Sequence, residues 1–365
     1  MTGSGKVLSR RVLNRSFLRR QLLDARTRLG VEGVLEHLVG LQAQQPIPPY
    51  FGLWSRMEEF VPDDLAELMA GRKAVRASLM RCTVHLVTAD DCLRLRHVMG
   101  PVIERQLRAS PARAAVLAEH AVREALTEAA KEALAEPCGN KELGERLAKR
   151  WPEHDPAELA RLGQFLVPAL QTPPRGLWGK SGMPAWAEME GWLGRPVDRT
   201  ARVGDVLLRY LAAFGPASAA DMQKWSGLNG LAEVCAGLDL RTFRDEQGRL
   251  LYDLPDLPFP DEDAPVPVRL LAEYDNALLS HADRSRIIDA AHLPRVVTKN
   301  GIVKGTVLVD GFVGGTWRLD KGTVALTPFA SWSAADTEAV EAEAHRLLAF
   351  AAPRAKAPKV VFAPG

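Results

Sequence analysis

Residues 41–50 read LQAQQPIPPY, with Gln42, Gln44 and Gln45 inside four positions and Pro46, Pro48 and Pro49 directly after them. A carboxamide does not trade protons near neutral pH, so these residues are unsuited to general acid or base work. An amide oxygen does accept a hydrogen bond from water, and it offers the negative end of a dipole to a growing positive charge. Taken locally, the stretch also fits a helix end with solvated amides. In an ideal helix, residues two apart point about 200° apart, so Gln42 and Gln44 would diverge. On an extended segment they share a face. Pro46 keeps Gln45 out of the helical region, so the chain is expected to unwind near Gln44, where the two amides can converge.

Charge is the second chemical signal. The 365-residue chain has a net charge of only +2, yet residues 1–30 hold eight basic side chains against Asp24 alone. Arg11, Arg15 and Arg19 recur every fourth residue, which puts them on one helix face as a candidate phosphate-tracking stripe. A solvated helix face has the same pattern. The segment from Asp253 to Asp263 is acidic by contrast. A basic region on a near-neutral chain is a plausible footprint for nucleic acid.

Other chemistries find little support. Cys82, Cys92, Cys138 and Cys235 form no C-x-x-C pair, and no H-E-x-x-H occurs, so neither a zinc site nor a disulfide framework is expected. The start GSGK lacks the leading glycine and the hydroxyl residue of a phosphate-binding loop. His85 with Asp90 and Asp91, and His281 with Asp283, read as structural or capping groups. No apolar run is long enough for a membrane span, and residues 1–17 lack the apolar core of a signal peptide, so a cytoplasmic protein is expected.

The elements that must position these residues recur in one order. Residues 199–253 read as three helices and a hairpin, with Ser218 as a cap, Gly227 as a stop and a turn at Gln247-Gly248. Residues 115–195 repeat the order, with Asn140 and Asp155 as caps, Pro156 at the first helical position and a strand turn around Gly179–Gly182. Residues 9–87 give it a third time, with a second helix running up to Pro46. Three helices followed by a hairpin is the make-up of a winged helix. The Pro-rich LPDLPFPDEDAPVP reads as a surface linker to a strand-rich extension joined to the third unit, with Asn300-Gly301 as its best hairpin turn and a closing helix. The expected division is 1–110, 111–197 and 198–365.

The combination of tandem winged helices with LVGLQAQQPIPPYFGLWSR, MRCTVHLVTADD, TPPRGLWGKSG and LLSHADRSRI resembles the AlkZ-like family of bacterial DNA glycosylases over roughly residues 10–350. The resemblance implies a helix-rich α+β fold of three tandem winged-helix motifs in a C shape around DNA, with the β-rich part as a C-terminal extension. It implies excision of bulky N7-alkylpurines and unhooking of interstrand crosslinks, with some members protecting producers of DNA-alkylating natural products. The family's Gln–apolar–Gln motif falls on Gln42-Ala43-Gln44, and Gln44, where a related branch has Asp, places the chain with the crosslink-unhooking branch. One departure is Cys82, where a small residue, usually glycine, is expected.

An N7-alkylguanine is already cationic, so its departure needs no general acid, and neutral amides suit what remains. Gln44 is expected to position water and Gln42 to stabilise or orient. A crosslinked base cannot swing out by about 180° while tethered, so an open basic channel suits it better than a closed pocket. Arg11, Arg15, Arg19, Lys299, Lys304, Arg318 and Lys321 are the candidate DNA contacts. The expectation is a monomeric, monofunctional glycosylase on double-stranded DNA bearing alkylated guanine, without metal or other cofactor and without a membrane partner. The rival is a non-catalytic winged-helix regulator or sequestering resistance protein, which fold alone does not exclude.

Overall fold

The structure is a computed structural model and describes residues 6–363; Gly3, Ser4 and Gly5 of the GSGK start lie outside them. The Arg10–Arg20 helix begins on Ser9, whose hydroxyl accepts from the Val12 amide, and it buries Leu13, Phe17 and Leu18. The second helix spans Val31–His37 and stops well short of Pro46. The reason is local. Val39 and Gly40 both have positive φ (53° and 88°), the Val39 amide donates to Glu36 O and the Gly40 amide to Leu35 O, which closes the helix in a Schellman turn. A Cβ at position 40 would lie 2.4 Å from Val87 Cγ1, so only glycine fits this approach. The chain leaves the turn as a short strand, Leu41–Gln42, which pairs antiparallel with Val84–Thr88 and sets Gln42 opposite His85.

That pairing belongs to a six-stranded sheet in the order Leu41–Gln42, Val84–Thr88, Ala74–Ser78, Ala169–Gln171, Ala185–Glu188, Cys138–Gly139. Arg76 faces Gln171 and Ala77 faces Leu170, so the strands of the first two units form one sheet across the expected 110/111 boundary. The connection 172–184 is longer than the tight turn expected at Gly179–Gly182. It folds back on the Pro48–Trp54 helix, where the Tyr50 hydroxyl donates to Gly176 O at 2.9 Å and Trp178 packs on Tyr50. Asp155 and Pro156 start a helix as expected, but the Asn140–Ala148 helix is capped by Gly139, and the Asn140 side chain instead accepts from Gln164.

The third unit follows its expected order: Val203–Phe214, Ala219–Ser226 and Leu231–Ala236, then strands Arg241–Asp245 and Leu250–Asp253. Ser218 and Asp221 form a capping box, and Gly227 ends the middle helix at φ 84°. Val7–Leu8 adds to this hairpin as a parallel strand, tying the N-terminal segment to the third unit. The C-terminal five-stranded sheet runs Arg269–Leu271, Gly305–Val309, Phe312–Asp320, Thr323–Pro328, Lys359–Phe362, with the Ala334–Ala351 helix against it. Its tight hairpin turns are Asp310-Gly311 and Lys321-Gly322, each with two positive φ values. Asn300-Gly301 instead closes a small turn held by one bridge, Val297 to Val303. The extension packs on the first unit, sharing a core of Leu41, Leu53, Trp54, Leu270, Trp317 and Leu347. Two buried bidentate pairs tie the first unit to the rest: Arg56 to Asp275 of the extension, and Arg20 to Asp253 of the third unit's hairpin. No helix among the described residues is long and apolar enough to cross a membrane.

Candidate active site

The extended run after Gly40 puts Gln42 and Gln44 on one face, and their amides meet: Gln42 Nε2 donates to Gln44 Oε1 at 3.1 Å. The orientation of Gln42 is decided by its other neighbour. Arg81 Nη2 donates to Gln42 Oε1 at 2.7 Å, and a guanidinium has only donors, so it can meet only the oxygen end of the amide. The nitrogen end is thereby aimed at Gln44. Gln42 is buried, whereas Gln44 is exposed and keeps a second lone pair and its amide N–H groups free for another molecule.

Arg81 is itself fixed from two sides. Its Nη1 donates to Trp225 O at the end of the Ala219–Ser226 helix, and its Nη2 lies 3.4 Å from His85 Nε2. His85 Nδ1 is 2.8 Å from Thr83 O, a pure acceptor, so Nδ1 carries the proton and Nε2 accepts. Burial first, and the Arg81 charge second, push the His85 pKa down to about 3, so the ring is neutral. No carboxylate pairs with Arg81 among the described residues; burial, with the Arg284 charge behind it, brings its pKa down to about 10. Arg81 and Cys82 both have positive φ (54° and 56°). A left-handed conformation at position 82 is the physical reason to expect glycine there, and this chain tolerates a cysteine. From beneath, buried Arg76 donates to the carbonyl of Ala43 at 2.6 Å, which holds the backbone between the two glutamines.

Gln45 points elsewhere. With Ile47, Phe51, Glu273, Trp317 and Arg318 it lines a cavity of about 450 Å³ beside the motif.

The expected DNA contacts divide into two groups. Arg15 is 1% exposed, donating to Ala264 O, Asp310 O and Asn14 Oδ1 and pairing with Asp310. Arg11 grips the same Asp310 carboxylate at 2.6 Å, and Arg19 pairs with Asp24. The four-residue spacing did mark one helix face, but its first two arginines clamp the Asp310-Gly311 turn and do not form a free stripe. Lys299, Lys304, Arg318 and Lys321 are exposed and make no ion pair among the described residues. The residues that sequence reasoning missed are Arg81, His85 as its neutral acceptor, and Arg76. Arg81 and His85 lay inside MRCTVHLV, but their role depends on a strand register and a distant helix.

A neutral amide pair held by a half-buried guanidinium, with no titrating acid between them, fits hydrolysis of a bond whose leaving group is already activated. The sequence profile of proteins described as DNA glycosylase AlkZ-like matches residues 35–350. The chain belongs to this DNA glycosylase family. A relative from Streptomyces sahachiroi, described as an interstrand DNA cross-link repair glycosylase, is 25% identical over 359 residues, covering 90% of this chain and 92% of its own. The solved structure of the Streptomyces sahachiroi DNA glycosylase AlkZ superposes with a TM-score of 0.81 at 22% identity, covering 98% of this chain and all of that one, which establishes the shared fold. This AlkZ-like chain is thus an enzyme, and the reading as a non-catalytic regulator is set aside.

Proposed function

We propose that this glycosylase hydrolyses the N-glycosidic bond of bulky N7-alkylguanines in double-stranded DNA and unhooks interstrand crosslinks joined through that atom. The observation that carries the reading is the Arg81–Gln42–Gln44 chain of hydrogen bonds, which fixes the sense of both amides without a titrating group. As the bond from C1′ to N9 breaks, its electron pair passes to the cationic alkylguanine, which leaves neutral. Positive charge grows on the sugar. Gln44 Oε1, already accepting from Gln42, holds a water with its second lone pair; the water oxygen bonds to C1′ and its proton passes to solvent. The product is an abasic site, with no lysine adduct and hence a monofunctional course. The open cavity beside Gln45 leaves room next to the motif for the bulk of an adduct.

Of the basic residues, exposed Lys299, Lys304, Arg318, Lys321 and Arg19 suit phosphate contacts, while Arg11 and Arg15 hold the hairpin. The protein acts as a monomer in the cytoplasm, needs no metal for the step described, and protects its host from a DNA-alkylating natural product. The test is a duplex joined by one N7-guanine crosslink, run on a denaturing gel. Separation of the strands, with alkali-labile breaks at the guanine, supports the reading. Strands that stay joined, with no alkali-labile site on a mono-adduct duplex either, would refute it.

A further inference from the structure

The loop Asp283-Arg284-Ser285-Arg286 follows buried His281, and three of its four polar side chains have internal partners. Asp283 pairs with Arg249 and accepts from the Ser285 hydroxyl at 2.7 Å, and Arg286 donates to Pro216 O at 2.7 Å. Arg284 alone has no hydrogen bond or ion pair through its guanidinium among the described residues, although it is partly buried. Its place is set by the Ala219–Ser226 helix. Asp221 on that helix accepts from the Ala282 and Asp283 amides, and Trp225, one turn further on, accepts from Arg81 through its carbonyl. Asn276, earlier on the same segment, donates to Gly40 O at the entry to the glutamine motif. The loop and the catalytic cluster are thus held by the same neighbours.

Arg81, beside the motif, has neutral partners only, and Arg284, whose charge bears on it, has none, so no carboxylate among the described residues pairs with either guanidinium. Left so, their charge would oppose the positive charge that develops on the sugar at Gln44. Each guanidinium also loses hydration, and the Arg284 charge adds to the burial that lowers Arg81. We infer that Arg284 binds the DNA backbone phosphate adjoining the damaged nucleotide, and that this phosphate supplies the negative charge missing beside Arg81. The deoxyribose is then anchored over Gln44 by its own phosphodiester, and the cationic cluster is neutralised only when DNA is in place. This inference rests on the glycosylase reading above.

The test compares wild type with Arg284→Gln and Arg284→Lys under single-turnover conditions. The substrates carry one N7-methylguanine and a neutral methylphosphonate at each flanking phosphate in turn. On the native duplex Arg284→Gln should raise the half-saturating concentration by roughly 10-fold or more, as expected for losing a charge-assisted hydrogen bond, and lower the maximal rate with it. The salt slope should fall by about one, and Arg284→Lys should recover the slope. At one flanking position the methylphosphonate should cost wild type as much as Arg284→Gln costs on native DNA, with no further loss when the two are combined. Equal penalties for wild type and variant at every position would overturn the proposal, as would wild-type binding by Arg284→Gln. Failure of wild type to release base from native duplex would instead count against the glycosylase substrate itself.

Discussion

Arg81→Met removes the donor that fixes Gln42 while keeping an unbranched side chain of similar reach. The bond lost is a charge-assisted one of 2.7 Å onto Gln42 Oε1. Such bonds contribute about 1.5–3 kcal/mol. If that energy holds the amides in the orientation the reaction needs, the single-turnover rate should fall by roughly 10- to 150-fold. Stability should change far less. Removing a half-buried cation with no carboxylate partner relieves its partial desolvation, which offsets the bare carbonyls left at Gln42 and Trp225, so the net change should stay within about 2 kcal/mol. Gln42→Glu separates the two roles. It keeps, and charges, the contact to Arg81 but cannot donate to Gln44. Its urea midpoint should equal or exceed wild type while its rate falls by at least about 10-fold. A Gln42→Glu enzyme at wild-type rate would refute the orienting role, and so would an Arg81→Met loss that only follows the unfolded fraction.

Three further outcomes follow from the same geometry. The maximal excision rate should be flat from pH 5.5 to 9, within about twofold, because His85 titrates near 3 and Arg81 near 10; a bell-shaped profile would reveal a general acid or base. Stability should drop as pH falls below about 6.5, the unfolded histidine value. His85 and His281 are held down to about 3 by burial, so the unfolded chain binds more protons across that window. The slope should be roughly 1.4 kcal/mol per pH unit for each histidine, and His281→Gln should remove about half of it in urea titrations. Asp275→Asn should cost about 3–5 kcal/mol, since it leaves the buried Arg56 guanidinium unpaired at the junction of the extension and the first unit.

How much of this was legible depends on the range of the interaction. Local signals read well: Ser218 and Gly227 bound a helix as their chemistry demands, and Asp155-Pro156 starts one. The convergence of Gln42 and Gln44 was anticipated from the demand for an extended segment. The device differs, since a Schellman turn at Val39-Gly40 ends the helix, and the chain is a strand before it reaches Pro46. A Gly inside an apolar helical pattern concealed that stop. The arginine stripe failed for a different reason. Spacing identifies a face but not what covers it, and Asp310 arrives from 295 residues away. Arg81 was hidden for the same reason, because its partners belong to a strand register and to a helix 144 residues on. The extension reads as joined to the third unit, and it does share a core with Tyr210, Phe214 and Trp225 there; that its sheet also packs on Leu53 and Trp54 of the first unit has no local signal.

The central claim is that Gln44, exposed and oriented through Gln42, holds the water that replaces the base. Single-turnover excision from a duplex with one N7-methylguanine, followed by mass analysis of the released base and alkaline cleavage of the strand, tests it most directly. The account predicts free N7-methylguanine and an alkali-labile site with wild type. It predicts a rate lower by at least about 10-fold with Gln44→Ala at unchanged duplex affinity, as expected for losing an interaction made in the transition state. A Gln44→Ala rate equal to wild type would contradict it.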